Sequence, residues 1–415
     1  MATPARWQSI PVDAAERRPT GNDPPLRLEG APLKLAEYAA RTQTNRRFVG
    51  FDLSNWDRYY LPASLEPLTD DPPLAHRAFL DDDNRSAVAP DPVATLDGVA
   101  FYLSVKGVGS SVDPYSERRL DRALAAEVSD SPDVRQRLRA AGADPGGGVV
   151  TGELWLRGSP YGGQGEEHAS TALRVSEAAD LTTLAGFRLA PVVKVAELPD
   201  PLAERLRSIS WYRRFRGRIV QELRLVPSNV RVYFHARTTV GSDIGRVFDR
   251  FHIDRPDRAH RFEVNLLKSG LAVLTLFART LERDPVSGRC SGFDFLDVWL
   301  DKDAVLAPDG TVFFVDLEGL ERVTVEREAV REKVEDQIYR SLYELMFAFE
   351  QVAGERARRF GSAGSRRRHF EAILTEAVQG DPFLRIRSTE DASLLEVRNS
   401  VGDESLNLVF PLLDR

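Results

Sequence analysis

Apolar positions recur with helical spacing mainly in the second half of the chain and with strand spacing mainly in the first half. The helical pattern predicts helices from about 166 to 184 and over 258–281, 326–352 and 369–378. Short apolar runs predict strands over 98–105, 189–195 and 218–225, with further short strands in the tail at 384–413. This order, a strand-rich half followed by a helix-rich half, predicts an α+β fold with two lobes.

The first 95 residues carry weaker patterns. Residues 1–33 are rich in Pro and Arg, which predicts a poorly ordered arm. Residues 34–47 have weak helical character, and the acidic stretch at 81–92, interrupted by prolines, predicts a linker. We therefore interpret residues 1–95 as an N-terminal arm and extension.

A hairpin is the most specific feature of the second half. Apolar runs at 304–306 and 311–315 flank Pro308-Asp309-Gly310, and Asp-Gly between such runs is a strong hairpin signal. Strand pairing would bring Asp303 and Asp316 together at the open end, where two carboxylates suit a hard divalent cation. Protein kinases separate a metal-binding Asn from the Asp of Asp-Phe-Gly in the same way. The spacing therefore predicts that Asp303 and Asp316 bind Mg²⁺.

Composition narrows the class of protein. The chain has 415 residues, more than one ordinary core accommodates, and 42% of them are hydrophobic and 29% charged. It has no apolar run of about 18 residues and no apolar leader, so we expect neither a membrane partner nor secretion. The single cysteine, Cys290, excludes an internal disulfide and a cysteine zinc site and fits a cytoplasmic location. The net charge of −7 argues against nucleic acid as a partner.

Lys106 ends the strand predicted over 98–105. A lysine at a strand end binds nucleotide phosphate in kinases, although most lysines in such positions are only solvated. The run Lys106-Gly107-Val108-Gly109, followed by Pro114-Tyr115-Ser116, resembles the selenoprotein O family, kinase-like proteins that transfer AMP. The resemblance covers a minority of the chain, around Lys106 and the helix near Glu177. It implies a kinase-like fold, a nucleotide-binding role for Lys106 and AMP transfer.

A glutamate is expected to orient this lysine, because kinases hold the lysine with a Glu on a helix of the small lobe. Ser176-Glu177-Ala178 resembles a stretch in the corresponding helix of the selenoprotein O family, so we assign Glu177 to this role. Glu166 and Glu167 are alternatives, but they lie in the first helical turn, where acids interact favourably with the helix dipole for structural reasons alone.

Two backbone segments are expected to bind the rest of the nucleotide. The glycine-rich loop at 158–165 opens a helix, so the N–H groups near Gly162, Gly163 and Gly165 are predicted to cradle phosphate; the alternative is a flexible turn. A hinge near Glu222, after an apolar strand, is predicted to bind adenine through its backbone.

The segment 291–303 lies where a kinase has its catalytic loop. A kinase places its base Asp five residues before the metal-binding Asn, but that position here is Val298, and no His-Arg-Asp is present. Asp297 and Asp301 are the nearby acids, so we predict that one of them is the general base. The alternative is a solvated acidic loop.

These features together predict a protein-kinase-like α+β fold of two lobes. A β-rich, nucleotide-binding small lobe is expected at 96–224, a helical large lobe with the metal-binding hairpin at 225–385, and a C-terminal extension at 386–415. The predicted function is ATP- and Mg²⁺-dependent phosphoryl transfer to a small-molecule or protein acceptor. Two alternatives stay open: AMP transfer to protein, as the selenoprotein O resemblance implies, and a catalytically inactive nucleotide-binding pseudokinase or scaffold.

Overall fold

The computed structural model describes the chain in segments. These are residues 7–9, 32–38, 41–49, 59–62, 77–80, 86–106, 164–178, 188–198, 200, 203, 217–232, 247–296, 300, 303–361, 365–388 and 393–412. The predictions made for Asp297, Asp301, Gly162 and Gly163 lie outside the described residues. Within them the fold is mixed α+β, with one large curled antiparallel sheet, smaller sheets and helices.

The large sheet is built from strands of the first 226 residues. They are β1 (Trp7–Ser9), β2 (Pro32–Tyr38), β3 (Thr42–Thr44), β4 (Tyr59–Pro62), β5 (Arg77–Leu80), β6 (Ser86–Leu96), β7 (Val99–Lys106), β8 (Gln164–Gly165), β9 (Val192–Glu197) and β10 (Ile219–Val226). The strands lie in the order β3-β9-β10-β7-β6-β5-β2-β4, with β1 paired to β6 and β8 paired to β10. The centre of this sheet, β7-β10-β9, confirms the three strands predicted from apolar runs.

The described helices are α1 (Glu166–Ala178), α2 (Val247–Arg250), α3 (Pro256–Leu274), α4 (Leu276–Arg279), α5 (Val330–Phe360) and α6 (Arg366–Ala377). The later strands are β11 (Glu282–Arg283), β12 (Cys290–Phe295), β13 (Ala304–Leu306), β14 (Val312–Phe314), β15 (Leu320–Val325), β16 (Leu384–Ser388), β17 (Ser393–Val397) and β18 (Leu408–Leu412). They form three sheets, β11-β12-β15, β13-β14 and β16-β17-β18. The predicted helices and tail strands are thus confirmed, except that the helix over 258–281 is divided at Thr275.

That division has a local cause. The Thr275 hydroxyl donates to the carbonyl oxygen of Leu271 (2.9 Å) and accepts from Nε of Arg279 (2.6 Å). A threonine that bonds back to the preceding turn competes with the helix and bends it. The apolar stripe continues through the break, with Leu276 and Phe277 both buried, so the spacing alone did not reveal it.

The two faces of the large sheet differ in character. On β7, Phe101, Leu103 and Val105 enter one apolar cluster together with Phe313 and Val315 of the hairpin segment. The alternate positions, Ser104 and Lys106, are buried on the opposite face. Because side chains alternate along a strand, the end of β7 places Ser104 and Lys106 on the face opposite Leu103 and Val105, although Tyr102, two residues earlier, also contacts the apolar cluster.

The hairpin formed by β13 and β14 is confirmed, with Gly310 N donating to Ala307 O (2.9 Å) across the turn. Both outer edges are hydrogen bonded to other segments. Phe314 N donates to Arg188 O (3.0 Å), and Leu306 N donates to Val230 O (2.8 Å). These bonds hold the hairpin against the segments before β9 and after β10. The open end of the hairpin is consequently fixed relative to the large sheet.

Two predictions for the first 95 residues are wrong where the structure describes them. The described residues of 34–47 lie in β2, in β3 and in a 3₁₀ turn at Arg46–Phe48 instead of a helix, and β1, within the predicted arm, pairs with β6. The predicted linker at 81–92 overlaps β6, which begins at Ser86. Pro90 and Pro92 lie in a part of β6 where the register with β7 shifts, which is how a strand accommodates proline.

Gly310 provides a test of the hairpin packing. Its φ is +90°, and a Cβ there would lie 2.2 Å from the carbonyl oxygen of Phe262 on α3. Gly310→Ala should lower the free energy of unfolding by about 2–4 kcal/mol, because backbone strain and a backbone clash add. The control is Gly288→Ala, where φ is +72° but a Cβ would meet nothing within 4 Å. This control should lower the free energy of unfolding by about 1–2 kcal/mol. Chemical denaturation measures both losses, and equal values would contradict the close approach of Gly310 to Phe262.

Glu355 on α5 is a buried carboxyl that makes the stability of the fold depend on pH. It accepts from Phe248 N (3.3 Å) and from Nη2 of Arg359 (3.1 Å). Burial raises its pKa to about 7, although these two contacts act in the opposite direction. Since the pKa in the folded state lies above the ordinary value of 4.5, the protonated form is favoured by folding. The contribution of Glu355 to the free energy of unfolding is therefore complete below about pH 4.5 and is lost as the pH rises to about 7.

Glu355→Gln keeps a neutral side chain at every pH. The melting temperature of this variant, relative to wild type, should therefore be higher at about pH 8 than at about pH 5. Thermal unfolding measured at both pH values checks this. Glu350→Gln, on an exposed position of the same helix, serves as the control and should show no such change. If the difference in melting temperature between Glu355→Gln and wild type did not depend on pH, the raised pKa assigned to Glu355 would be contradicted.

Candidate functional site

A row of buried polar side chains crosses the centre of the large sheet. Ser86 on β6 and Glu222 on β10 both lie directly opposite Lys106 of β7, and Arg224 lies opposite Ser104 one row further. Lys106 is 3% exposed, and Glu222 and Arg224 are 0% exposed. Ionised groups are costly to bury unless they are paired, so this row requires partners of opposite charge.

The open end of the hairpin supplies those partners. Asp316 lies two residues after the end of β14, and Glu318 lies in the 3₁₀ turn at Leu317–Gly319. Lys106 Nζ is 2.6 Å from Oδ1 of Asp316 and 3.0 Å from Oε1 of Glu318. The structure therefore brings together two of the residues predicted from sequence, Lys106 and Asp316, which are 210 positions apart in the chain.

Arg224 is the second cation of the site. Its Nη1 donates to the carbonyl oxygen of Val315 (2.9 Å) and approaches Oδ1 of Asp316 (3.4 Å). Its Nη2 donates to Oγ of Ser86 (2.8 Å). Arg224 thus links β6 and β10 to the backbone that leads into Asp316.

Glu222 has an altered proton affinity in this setting. Burial raises its pKa above the ordinary value of 4.5, while Lys106 and Arg224 act to lower it, and Glu318 and Asp316 act to raise it. Nη1 of Arg224 lies 3.7 Å from Oε1 of Glu222, so this buried carboxyl lies next to a buried cation on its own strand as well as opposite Lys106.

Asp303 lies at the open end of the hairpin, where the register places it opposite Val315, the residue before Asp316. It is buried, and its carbonyl oxygen accepts from Val315 N (2.9 Å). No group of three or more His, Cys, Asp or Glu side chains is arranged to hold a metal among the residues that the structure describes. Mg²⁺ commonly uses one or two carboxylates together with substrate phosphates. The donor chemistry of Asp303 and Asp316 fits that mode.

Glu177 has a different partner from the one predicted. It lies near the end of α1, where its Oε1 accepts from the backbone N–H of Arg46 (3.0 Å). Lys106 lies within ion-pair distance of the carboxylates of Asp316 and Glu318. In this structure Glu177 therefore contacts the 3₁₀ turn at Arg46–Phe48, and its assignment as the residue that orients Lys106 is not supported by this contact.

The prediction that a hinge lies near Glu222 is wrong about the position of this residue. Glu222 lies inside β10, opposite Lys106 on one side and Val195 on the other. A backbone paired on both edges belongs to the sheet ladder and does not offer the open edge that adenine would need. The segment that follows the strand begins only at Pro227.

Gly165 lies on the same edge of β10 as the lysine. It pairs with Ile219 as part of β8, whereas Lys106 of β7 pairs with Glu222. Gln164 and Gly165 thus lie along this edge just before α1 begins. This placement is compatible with the predicted phosphate loop, which itself lies mostly outside the described residues.

The predicted catalytic segment at 291–303 begins as a strand. Cys290–Phe295 is β12, paired with β15. Asp294 points away from solvent and contacts Nε2 of Gln337 (3.1 Å) and the ammonium group of Lys333 on α5. Any catalytic loop must consequently start after Phe295, and Asp294 has a structural role.

Sequence reasoning missed Ser86, Arg224 and Glu318. A signal for one of them, Arg224, existed: Glu222 and Arg224 alternate with Leu223 and Leu225 in a strand that is mainly apolar. Charges spaced by two in such a strand indicate a polar row on one buried face. No comparable signal marked Ser86, because its role arises only from pairing between strands.

Comparison of the chain with known protein families gives no match, and comparison with curated proteins gives none either. Across the segments described above, no helix is long and apolar enough to span a bilayer.

Proposed function

We propose that this chain is an ATP- and Mg²⁺-dependent transferase with a protein-kinase-like arrangement of two lobes, which transfers a phosphoryl group to a small-molecule or protein acceptor. The observation that carries the proposal is the 2.6 Å ion pair between Lys106, at the end of a sheet strand, and Asp316, after a hairpin. A strand lysine and a metal-binding aspartate that meet at one place are the two fixed charges of a kinase nucleotide site.

The order of elements supports this proposal. In protein kinases the nucleotide lysine lies on a strand, a helix follows it, and the metal-binding aspartate follows a later strand beyond the catalytic loop. Here Lys106 ends β7, α1 and the strands β9 and β10 follow, and Asp316 comes after the β13–β14 hairpin. The correspondence is one of element order along the chain, so the proposed function rests on the charged residues themselves.

The roles of the residues follow from their charges and positions. Lys106 would turn from Asp316 and Glu318 to donate to phosphate oxygens, while Asp316 and Asp303 would hold Mg²⁺. When bound, Mg²⁺ would neutralise part of the negative charge on the phosphates. Asp297 or Asp301 would accept the proton of the attacking hydroxyl, whose oxygen bonds to the γ-phosphorus as the bond to ADP breaks.

Nucleotide binding is the first test. ATP with Mg²⁺ at about 100 times its dissociation constant should stabilise the protein by about 2.7 kcal/mol, seen as a higher melting temperature. EDTA should remove most of this shift. Asp316→Asn should remove it as well, while Asp257→Asn, an exposed control on α3, should keep it. Absence of any shift in the wild-type protein with purine nucleotides at millimolar concentration would contradict the proposal.

AMP transfer is the second candidate, favoured by the Lys106-Gly107-Val108-Gly109 and Pro114-Tyr115-Ser116 runs. ATP labelled separately at the α- and γ-phosphates, incubated with the protein and with cell extract, distinguishes the two chemistries. We expect label to move from the γ position only. Label moving from the α position only would show AMP transfer instead. Binding without movement of either label would indicate an inactive nucleotide-binding protein, in keeping with the missing His-Arg-Asp.

A further inference from the structure

Arg224 is a buried cation that the proposed reaction does not use directly. Its side chain is 1% exposed, and Ser86 and the carbonyl oxygen of Val315 occupy its two terminal nitrogens. A guanidinium stays charged at every physiological pH and presents its donors in a rigid planar fork. Arg224 therefore cannot reach a ligand without breaking these contacts, and any role it has must act through a neighbouring residue.

The neighbour is Asp316. The same Nη1 contacts both the carbonyl oxygen of Val315 and Oδ1 of Asp316, so a single donor group touches the candidate metal ligand and the peptide just before it. The bond from Nη2 to Ser86 fixes the plane of the fork. Lys106 contacts the same Oδ1, so both cations turn this oxygen toward the sheet.

We propose that Arg224 is a positioning residue that holds Asp316 in the orientation required to bind the Mg²⁺ of a nucleotide complex, and that Ser86 in turn orients Arg224. This inference rests on the proposed function. It assigns Arg224 a task that Lys106 cannot perform, because Lys106 is needed at the phosphates once nucleotide binds. Arg224 then remains beside Asp316 and keeps the carboxylate in place.

The consequence is a selective effect on metal-dependent binding. Residues that orient a metal ligand typically change metal affinity by about 10–100-fold when they are replaced. Arg224→Lys retains the charge but loses the fork, so one ammonium cannot hold Ser86, Val315 and Asp316 in the same geometry. Ser86→Ala removes one contact of the fork and leaves Arg224 itself intact.

The test is titration calorimetry of the full chain with ATP, once with Mg²⁺ and once in EDTA. Arg224→Lys should lower the affinity for ATP with Mg²⁺ by about 10–100-fold and leave the affinity in EDTA close to that of wild type. Ser86→Ala should also lower the affinity for ATP with Mg²⁺, but by a smaller factor. If Arg224→Lys does not fold, Ser86→Ala provides the test. Arg218→Lys is the matched control, since Arg218 lies at the start of β10 in a half-exposed ion pair with Glu197.

The outcomes separate the two claims. If wild-type protein shows no Mg²⁺-dependent ATP binding, the proposed function and this inference both fail. If wild-type protein shows it and the Arg224 and Ser86 variants match wild type, only the inference fails. Equal loss of affinity with and without Mg²⁺ would also overturn the inference, because it would indicate general damage to the site instead of misplacement of Asp316.

Discussion

The ion pair between Lys106 and Asp316 is the contact on which the candidate site depends. It joins the centre of the large sheet to the open end of the β13–β14 hairpin, and it lies among side chains largely removed from water. Removing one partner of such a pair leaves an uncompensated buried charge, which is strongly destabilising. Arg224 also contacts Asp316, and Glu318 also contacts Lys106. The same side chains therefore form the candidate site and connect the large sheet to the hairpin.

The hairpin and the helices could be predicted because each is encoded by local pattern. Asp309-Gly310 fixes the turn, and Gly310 is required both by its positive φ and by its approach to Phe262. The apolar stripes of α3 and α5 recur every three to four residues and face a common core. Once the hairpin is given, strand pairing places Asp303 opposite Val315 and brings Asp316 to the same open end, so the placement of both residues at this end was accessible from sequence.

The remaining parts depend on pairing between distant segments. The weak helical pattern at 34–47 was overridden by strand pairing, in which β2 joins β4 and β5 and β3 joins β9. The prolines that indicated a linker lie within irregular register of β6. Glu177 was chosen by its place on a helix, but which residue a helix carboxylate contacts is set by packing, and here it is Arg46. The charge alternation along β10 marks Arg224 as part of a polar row, but the partners of Arg224 could not be predicted, because Ser86 and Val315 are far away in sequence.

The most direct test of the central claim is a structure of the protein with Mg²⁺ and a non-hydrolysable ATP analogue. We expect Lys106 Nζ to leave Asp316 and Glu318 and to contact a phosphate oxygen, while Asp316 contacts the metal and Arg224 stays in place. A nucleotide bound elsewhere, with the ion pair between Lys106 and Asp316 intact, would contradict the proposed site. The pair would then be a structural link between the sheet and the hairpin and no part of a nucleotide site.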